Sequence, residues 1–192
     1  MQVSWDASES EDAGSSCSWP IPTYQAILLH IIFAILLYKN RGERRLDLRS
    51  SLPTAEAELL RRLVASCKKL GMLYYPNMLS RYCEQDLPAF VWVSIEEVKR
   101  FNLALYKVCM ACGEKGVSTD VLDTATASLS RGLRAQDLQF PLPKNTPLWN
   151  ALSKEEWVSA ETGDVHCHAL DDTLEHEWIS NSAHVLEMLD ET

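Results

Sequence analysis

The feature that most constrains this chain is the apolar run at 26–38, AILLHIIFAILLY, interrupted only by His30. Such a run must be covered by protein or by lipid, because each methylene left in water costs about 0.8 kcal/mol. It holds no Gly or Pro, and Thr23 stands ahead of it as an N-cap, so it reads as a helix. Counted from Ile21 it reaches 18 residues, the lower edge of what spans a hydrocarbon core. Lys39, Arg41, Arg44 and Arg45 follow it, as basic residues follow an anchor on its cytoplasmic side. The leading expectation is a central core helix, apolar on all faces because it is buried. The alternative is a membrane-tethered helical interaction protein anchored by residues 21–38.

The remaining pattern is helical too. Thr54 opens a second helix with Glu56 and Glu58 in its first turn and Lys68 and Lys69 in its last, which suits the helix dipole. Leu59, Leu60, Leu63, Val64 and Cys67 recur at helical spacing, and Gly71 ends the helix as a C-cap. A third helix is predicted over 88–110, with Pro88 in the first turn and Phe90, Val93, Glu97, Phe101, Leu105 and Val108 at steps of three and four. Residues 72–81 read as a short amphipathic piece or a loop, and 113–135 as a loop around one short helix. Pro141, Pro143 and Pro147 make 138–149 extended. Ser153 and Glu156 form a capping box before Trp157. Only 7 glycines occur in 192 residues, and no period-two alternation persists, so a strand-and-turn architecture is excluded. The fold expected is all-α, an irregular helical domain with an extended proline-containing strap. Leu28, Ile32, Ile35, Leu36, Leu60, Leu63, Phe90, Trp92, Val93, Phe101, Leu105 and Trp149 are its expected interior.

Charge divides the chain. Residues 1–19 carry four acids and no base, 155–192 carry 11 acids and no Lys or Arg, and 20–154 carry 18 bases against 12 acids. The organisation expected is a disordered acidic N-terminus at 1–20, a helical domain at 21–157, and an acidic tail at 158–192 with an amphipathic helix. The net charge of −9 weighs against a nucleic-acid binder. Arg41, Arg44, Arg45, Arg49, Arg61, Arg62, Lys68 and Lys69 alternate with Leu, Asp and Glu and form no cluster shaped to read base edges. In the tail, Leu170, Leu174, Trp178, Leu186 and Leu189 lie among acids, the composition of an activation segment that folds on a coactivator groove. The competing reading is a helix packed on the domain with its acids in water.

Little in the sequence points to catalysis. No phosphate-binding glycine loop and no G-x-S-x-G elbow occurs. The six cysteines are dispersed and no secretory signal precedes them, so free thiols in a reducing compartment are expected. Cys109 and Cys112 make half of a zinc site, but the other donors, His166, Cys167 and His168, lie over 50 residues away. Two small thiols at i and i+3 near a helix end read instead as core residues. His166-Cys167-His168 reads as a loop, and the acids around Asp171 and Glu175 as a solvated face. The expectation is no enzyme and no cofactor.

Two stretches are more specific. One runs from Trp92 through Glu96, Lys99 and Arg100 to Tyr106. The other runs from Leu138 through Phe140-Pro141-Leu142-Pro143, Leu148-Trp149 and Ala151 to Trp157, of the form LPxPxxLWxAxxxxxW. In this order they resemble the fungal-specific transcription factor domain, the helical regulatory region of fungal zinc-cluster and some C2H2 transcription factors. The apolar helix at 26–38 and the helix at 59–71 are similar to helices upstream in that domain, and the resemblance covers roughly 22–157. It implies a nuclear transcription regulator, controlling metabolic or biosynthetic-cluster genes, whose Glu96, Lys99 and Arg100 cross-link helices. On spacing alone these three charges read as a solvated helix face, with Glu96 and Arg100 a favourable pair worth a few tenths of a kcal/mol. Zinc in that family belongs to a six-cysteine finger whose spacing is not present here. The expected partners are therefore proteins, as a homodimer or a heterodimer with a full-length factor, with DNA reached only indirectly and membrane not engaged. A diverged or truncated copy that no longer reaches DNA is the other expectation.

Overall fold

A computed structural model describes residues 19–41, 52–83, 85–112, 132–160 and 172–182. Of the described residues 71% are helical and none lies in a strand, so the fold is all-α. The helices are α1 (Ile21–Arg41), α2 (Thr54–Lys69), α3 (Tyr75–Leu79), α4 (Pro88–Ala111), α5 (Thr146–Trp149) and α6 (Lys154–Ala160). Short 3₁₀ segments occur at Ala135–Asp137, Asp172–Glu177 and Ile179–Asn181.

Helix α1 starts two residues before the predicted cap. The Tyr24 N–H already donates to the Pro20 carbonyl at 3.0 Å, so Thr23 sits within the first turn rather than capping it. Pro22 fits there because a first-turn N–H has no helical partner to lose. The helix packs on α2 and α4 through Tyr24, Leu28 and Ile31. It is not buried all round. Leu29, Phe33, Leu36 and Leu37 are exposed, because α2 and α4 cover only one arc of the cylinder. Leu36 is thus not core, and Ile32 and Ile35 are half-buried. Among the described residues no helix is long and apolar enough to cross a membrane.

Helix α2 turns Leu60, Leu63, Val64 and Cys67 inward and stops where Gly71 adopts φ 66°. The Gly71 N–H donates to Lys68 O at 3.1 Å and the Met72 N–H to Cys67 O at 3.0 Å, the paired bonds of a Schellman stop. Helix α4 is the spine. Val91, Ile95, Val98, Phe101, Leu105 and Val108 enter the main core, which Cys67, Met72, Met78, Leu138, Phe140 and Ile179 complete. Phe90 is not inside. It shares the first turn of α4 with Val91, but Val91 takes the core face while Phe90 lies on an exposed side, edge-on to Tyr82 with ring centroids 6.0 Å apart.

The main core includes a segment assigned to the tail by composition. The Ile179 N–H donates to Phe140 O at 3.0 Å and the Ser180 N–H to Leu138 O at 3.1 Å. Trp178 and Ile179 are buried, and Trp178 meets Tyr74 edge-on at 5.8 Å. The predicted amphipathic helix is here two 3₁₀ segments around an isolated bridge between Trp178 and Pro141. Leu174 falls in the first of those segments, and Leu170, Leu186 and Leu189 lie outside the described residues.

Candidate functional site

The residues that carry the sequence resemblance converge on one side of α4. Non-helical residues 138–145 leave the turn at Ala135–Asp137 and run beside the end of α2 and the start of α3. The Gln139 N–H donates to Leu73 O, and the Tyr75 N–H donates to Gln139 O, each at 2.9 Å. Phe140 and Leu148 are fully buried, worth about 1.5–3 kcal/mol apiece. Pro141 is buried, while Leu142, Pro143 and Trp149 are half-buried. Asn145 ends the segment in the left-handed region at φ 49°, a conformation Asn tolerates, and its side-chain oxygen accepts from the Leu148 N–H to cap α5.

Glu96 holds this segment to α4. Its side chain is 2% exposed, a costly place for a carboxylate unless every lone pair finds a donor. Oε1 accepts from Lys99 Nζ at 2.9 Å, and Oε2 accepts from Arg100. Oε2 also accepts the Lys144 backbone N–H at 3.2 Å, and Arg100 donates to the Lys144 carbonyl at 3.4 Å. One carboxylate and one guanidinium thus grip both polar groups of a single peptide residue. The Arg100 guanidinium stacks 4.3 Å from the Trp149 ring, and the Lys99 ammonium lies 4.9 Å from the Tyr75 ring. Burial pushes the Lys99 amine below its ordinary range, and attraction to Glu96 only partly opposes it. Burial also raises the Tyr75 phenol, with the Glu96 charge adding to it. The solvated-face reading of Glu96 and Lys99 is overturned: α4 is packed on most of its circumference, and these two charges lie inside the covered arc.

A small second core sits beside this clasp. Trp92 and Leu148 are its buried pair, with Val93, Trp149, Trp157 and Ala160 packed against them. Trp157 meets Trp92 edge-on at 5.8 Å. At the start of α6 the Glu156 N–H donates to Ser153 Oγ at 3.1 Å, and the Glu156 carboxylate accepts from the Leu152 N–H at 2.8 Å.

The clasp and the second core present no nucleophile with a base beside it; elsewhere the exposed Cys83 thiol donates to Asp86 Oδ2 at 3.4 Å. Cys67 is fully buried, and desolvation pushes its thiol up from 9.0 to about 12. Burial raises Cys109 as well, and Cys112 to about 11. These thiols behave as apolar packing. Among the described residues no group of three or more His, Cys, Asp or Glu side chains is placed to hold a metal ion, and His166 and His168 lie outside those residues. A cavity of about 180 Å³ between α1 and α2, lined by Tyr24, Ile27, Leu59 and Leu63, is small against the roughly 300–1,000 Å³ of ordinary ligand sites. Packing of the tail on the domain was one of two open readings of the sequence, and cross-linking by Glu96, Lys99 and Arg100 was implied by the resemblance alone. The docking of Trp178 and Ile179 had no local signal, whereas burial of Glu96 and Lys99 could have been suspected from their place between Trp92, Ile95, Val98 and Phe101. No family model, curated protein or solved structure matches the chain.

Proposed function

We propose that this chain is a non-catalytic, nuclear transcription-regulatory module that acts through protein partners and reaches DNA through one of them. The observation that carries the reading is the convergence of Trp92, Glu96, Lys99 and Arg100 with Phe140, Leu148, Trp149 and Trp157. These are the residues by which the sequence resembles the fungal-specific transcription factor domain, and they lie in the Glu96 clasp, the second core beside it and, for Phe140, the main core, rather than at scattered surface positions. The net charge of −9 supports indirect rather than direct DNA contact. Metabolic or biosynthetic-cluster genes are the targets that the resemblance suggests.

A fluorescent fusion combined with cell fractionation tests the reading. Nuclear signal with release from membranes by carbonate is the expected result. Carbonate-resistant membrane association would overturn it in favour of the tethered alternative.

A further inference from the structure

Helix α1 carries two apolar stripes with the same spacing. Ile21, Tyr24, Leu28 and Ile31, with half-buried Ile35, face the core at alternating steps of three and four. Pro22, Ala26, Leu29, Phe33 and Leu36 repeat at steps of four, three, four and three, and all five are exposed. At 3.6 residues per turn the two stripes lie about 140° apart around the helix. An apolar repeat averaging 3.5 residues is the seam along which one helix seats its side chains between those of another. The inner stripe meets α2 and α4, while the outer one is open among the described residues: Leu29 is 58% exposed, Phe33 65% and Leu36 52%.

We infer that the outer face of α1 is a self-association surface, on which a second copy of the chain seats its own α1. Residues 21–38 contain no Asp, Glu, Lys or Arg in a chain that is 23% charged. A face without charge does not repel its own copy, and a partner selected by charge would find nothing here to select. Twofold pairing needs one self-complementary patch per chain and closes after two copies. The area is also sufficient. With large side chains exposing roughly 150–250 Å² when free, Leu29, Phe33, Leu36 and Leu37 leave on the order of 100 Å² each. Both copies together, with Pro22, Ala26 and His30 at the rim, bury about 1,000 Å², the lower bound for a specific interface. An interface of this size sits at the weak, reversible end of specific contacts. The surface exists whatever the chain's task, so this inference stands apart from the regulatory reading.

Sedimentation velocity of the full chain, from about 1 to 100 µM, tests it. The expected result is a mass that rises from 21.7 kDa toward twice that value. Phe33→Glu should stay monomeric throughout with unchanged circular dichroism, and Leu152→Glu, at a fully exposed position between α5 and α6, should dimerise like the wild type. A monomer at every concentration overturns the inference. So does a dimer that survives both Phe33→Glu and Leu29→Glu, or a Phe33→Glu chain that loses its helical spectrum while Leu29→Glu folds and still dimerises. Flotation of the monomeric wild type with phosphatidylcholine vesicles, abolished by Phe33→Glu, would assign the face to a lipid surface instead.

Discussion

Replacing Glu96 with Gln should be among the most damaging near-isosteric changes in the chain. The carboxylate pairs with Lys99, whose side chain is 6% exposed, and with Arg100, whose side chain is 21% exposed. Gln keeps an oxygen for the Lys144 N–H but removes the counter-charge of both cations. Breaking a buried pair by deleting one partner costs about 3–5 kcal/mol. Arg100 can turn its guanidinium toward water and Lys99 cannot, which places the expected loss near the lower figure, about 3 kcal/mol. For a chain of this size that is a fall in Tm of about 6–12 °C. Urea denaturation should show a lower midpoint with an unchanged slope. Lys99→Met should cost less, because Glu96 keeps Arg100 and the Lys144 N–H. In the double variant Glu96→Gln/Lys99→Met, the loss should be smaller than the two single losses added, with a coupling of about 0.5–3 kcal/mol. A Glu96→Gln loss below about 1 kcal/mol, typical of an exposed pair, would refute the reasoning that the clasp is buried.

Other outcomes follow from the same packing. Trp178→Ala should destabilise the whole domain by about 3–5 kcal/mol in a single cooperative transition, since its ring is buried against Tyr74; an unchanged melting curve would mean that 172–182 is not part of the core. Gly71→Ala should cost about 1–2 kcal/mol in urea titration, because φ 66° is strained for any residue with a Cβ, while the Asn77 side-chain amide that the added Cβ would meet can swing aside. Alkylation followed by peptide mass spectrometry should label exposed Cys83 well before Cys67 or Cys109. Because Cys67 is raised from 9.0 to about 12, its contribution to stability is full below pH 9 and is lost as pH rises toward about 12; a Cys67→Ala chain should show a shallower alkaline decline.

Much of the scaffold was legible because it is locally encoded. The start of α2 at Thr54, its stop at Gly71 and the extent of α4 follow from spacing, dipole charges and the glycine that only a left-handed turn requires. The sidedness of α1 was not legible. With apolar residues on both stripes, no polar face marks which one meets water, and only the placement of α2 and α4 decides it. Phe90 shows the same limit, since at the start of α4 its neighbour Val91 takes the core face and no polar residue beside them marks which one does. Trp178 and Ile179 lie in an acidic stretch whose apolar spacing imitates a helix, and their burial depends on Phe140 and Tyr74, far away in sequence. The clasp was half legible. Its residues were singled out by resemblance, and the apolar Trp92, Ile95, Val98 and Phe101 around Glu96 and Lys99 were the local hint that these charges are buried.

The regulatory role is tested most directly by placing the full chain on DNA. Fused to a heterologous DNA-binding domain at a reporter promoter, the wild-type chain should change transcription relative to the DNA-binding domain alone. Glu96→Ala, which opens the clasp, should abolish that change at equal protein level, and the unfused chain should not shift the promoter fragment at physiological salt. A reporter left unchanged by the wild-type fusion, expressed and nuclear, would contradict the account.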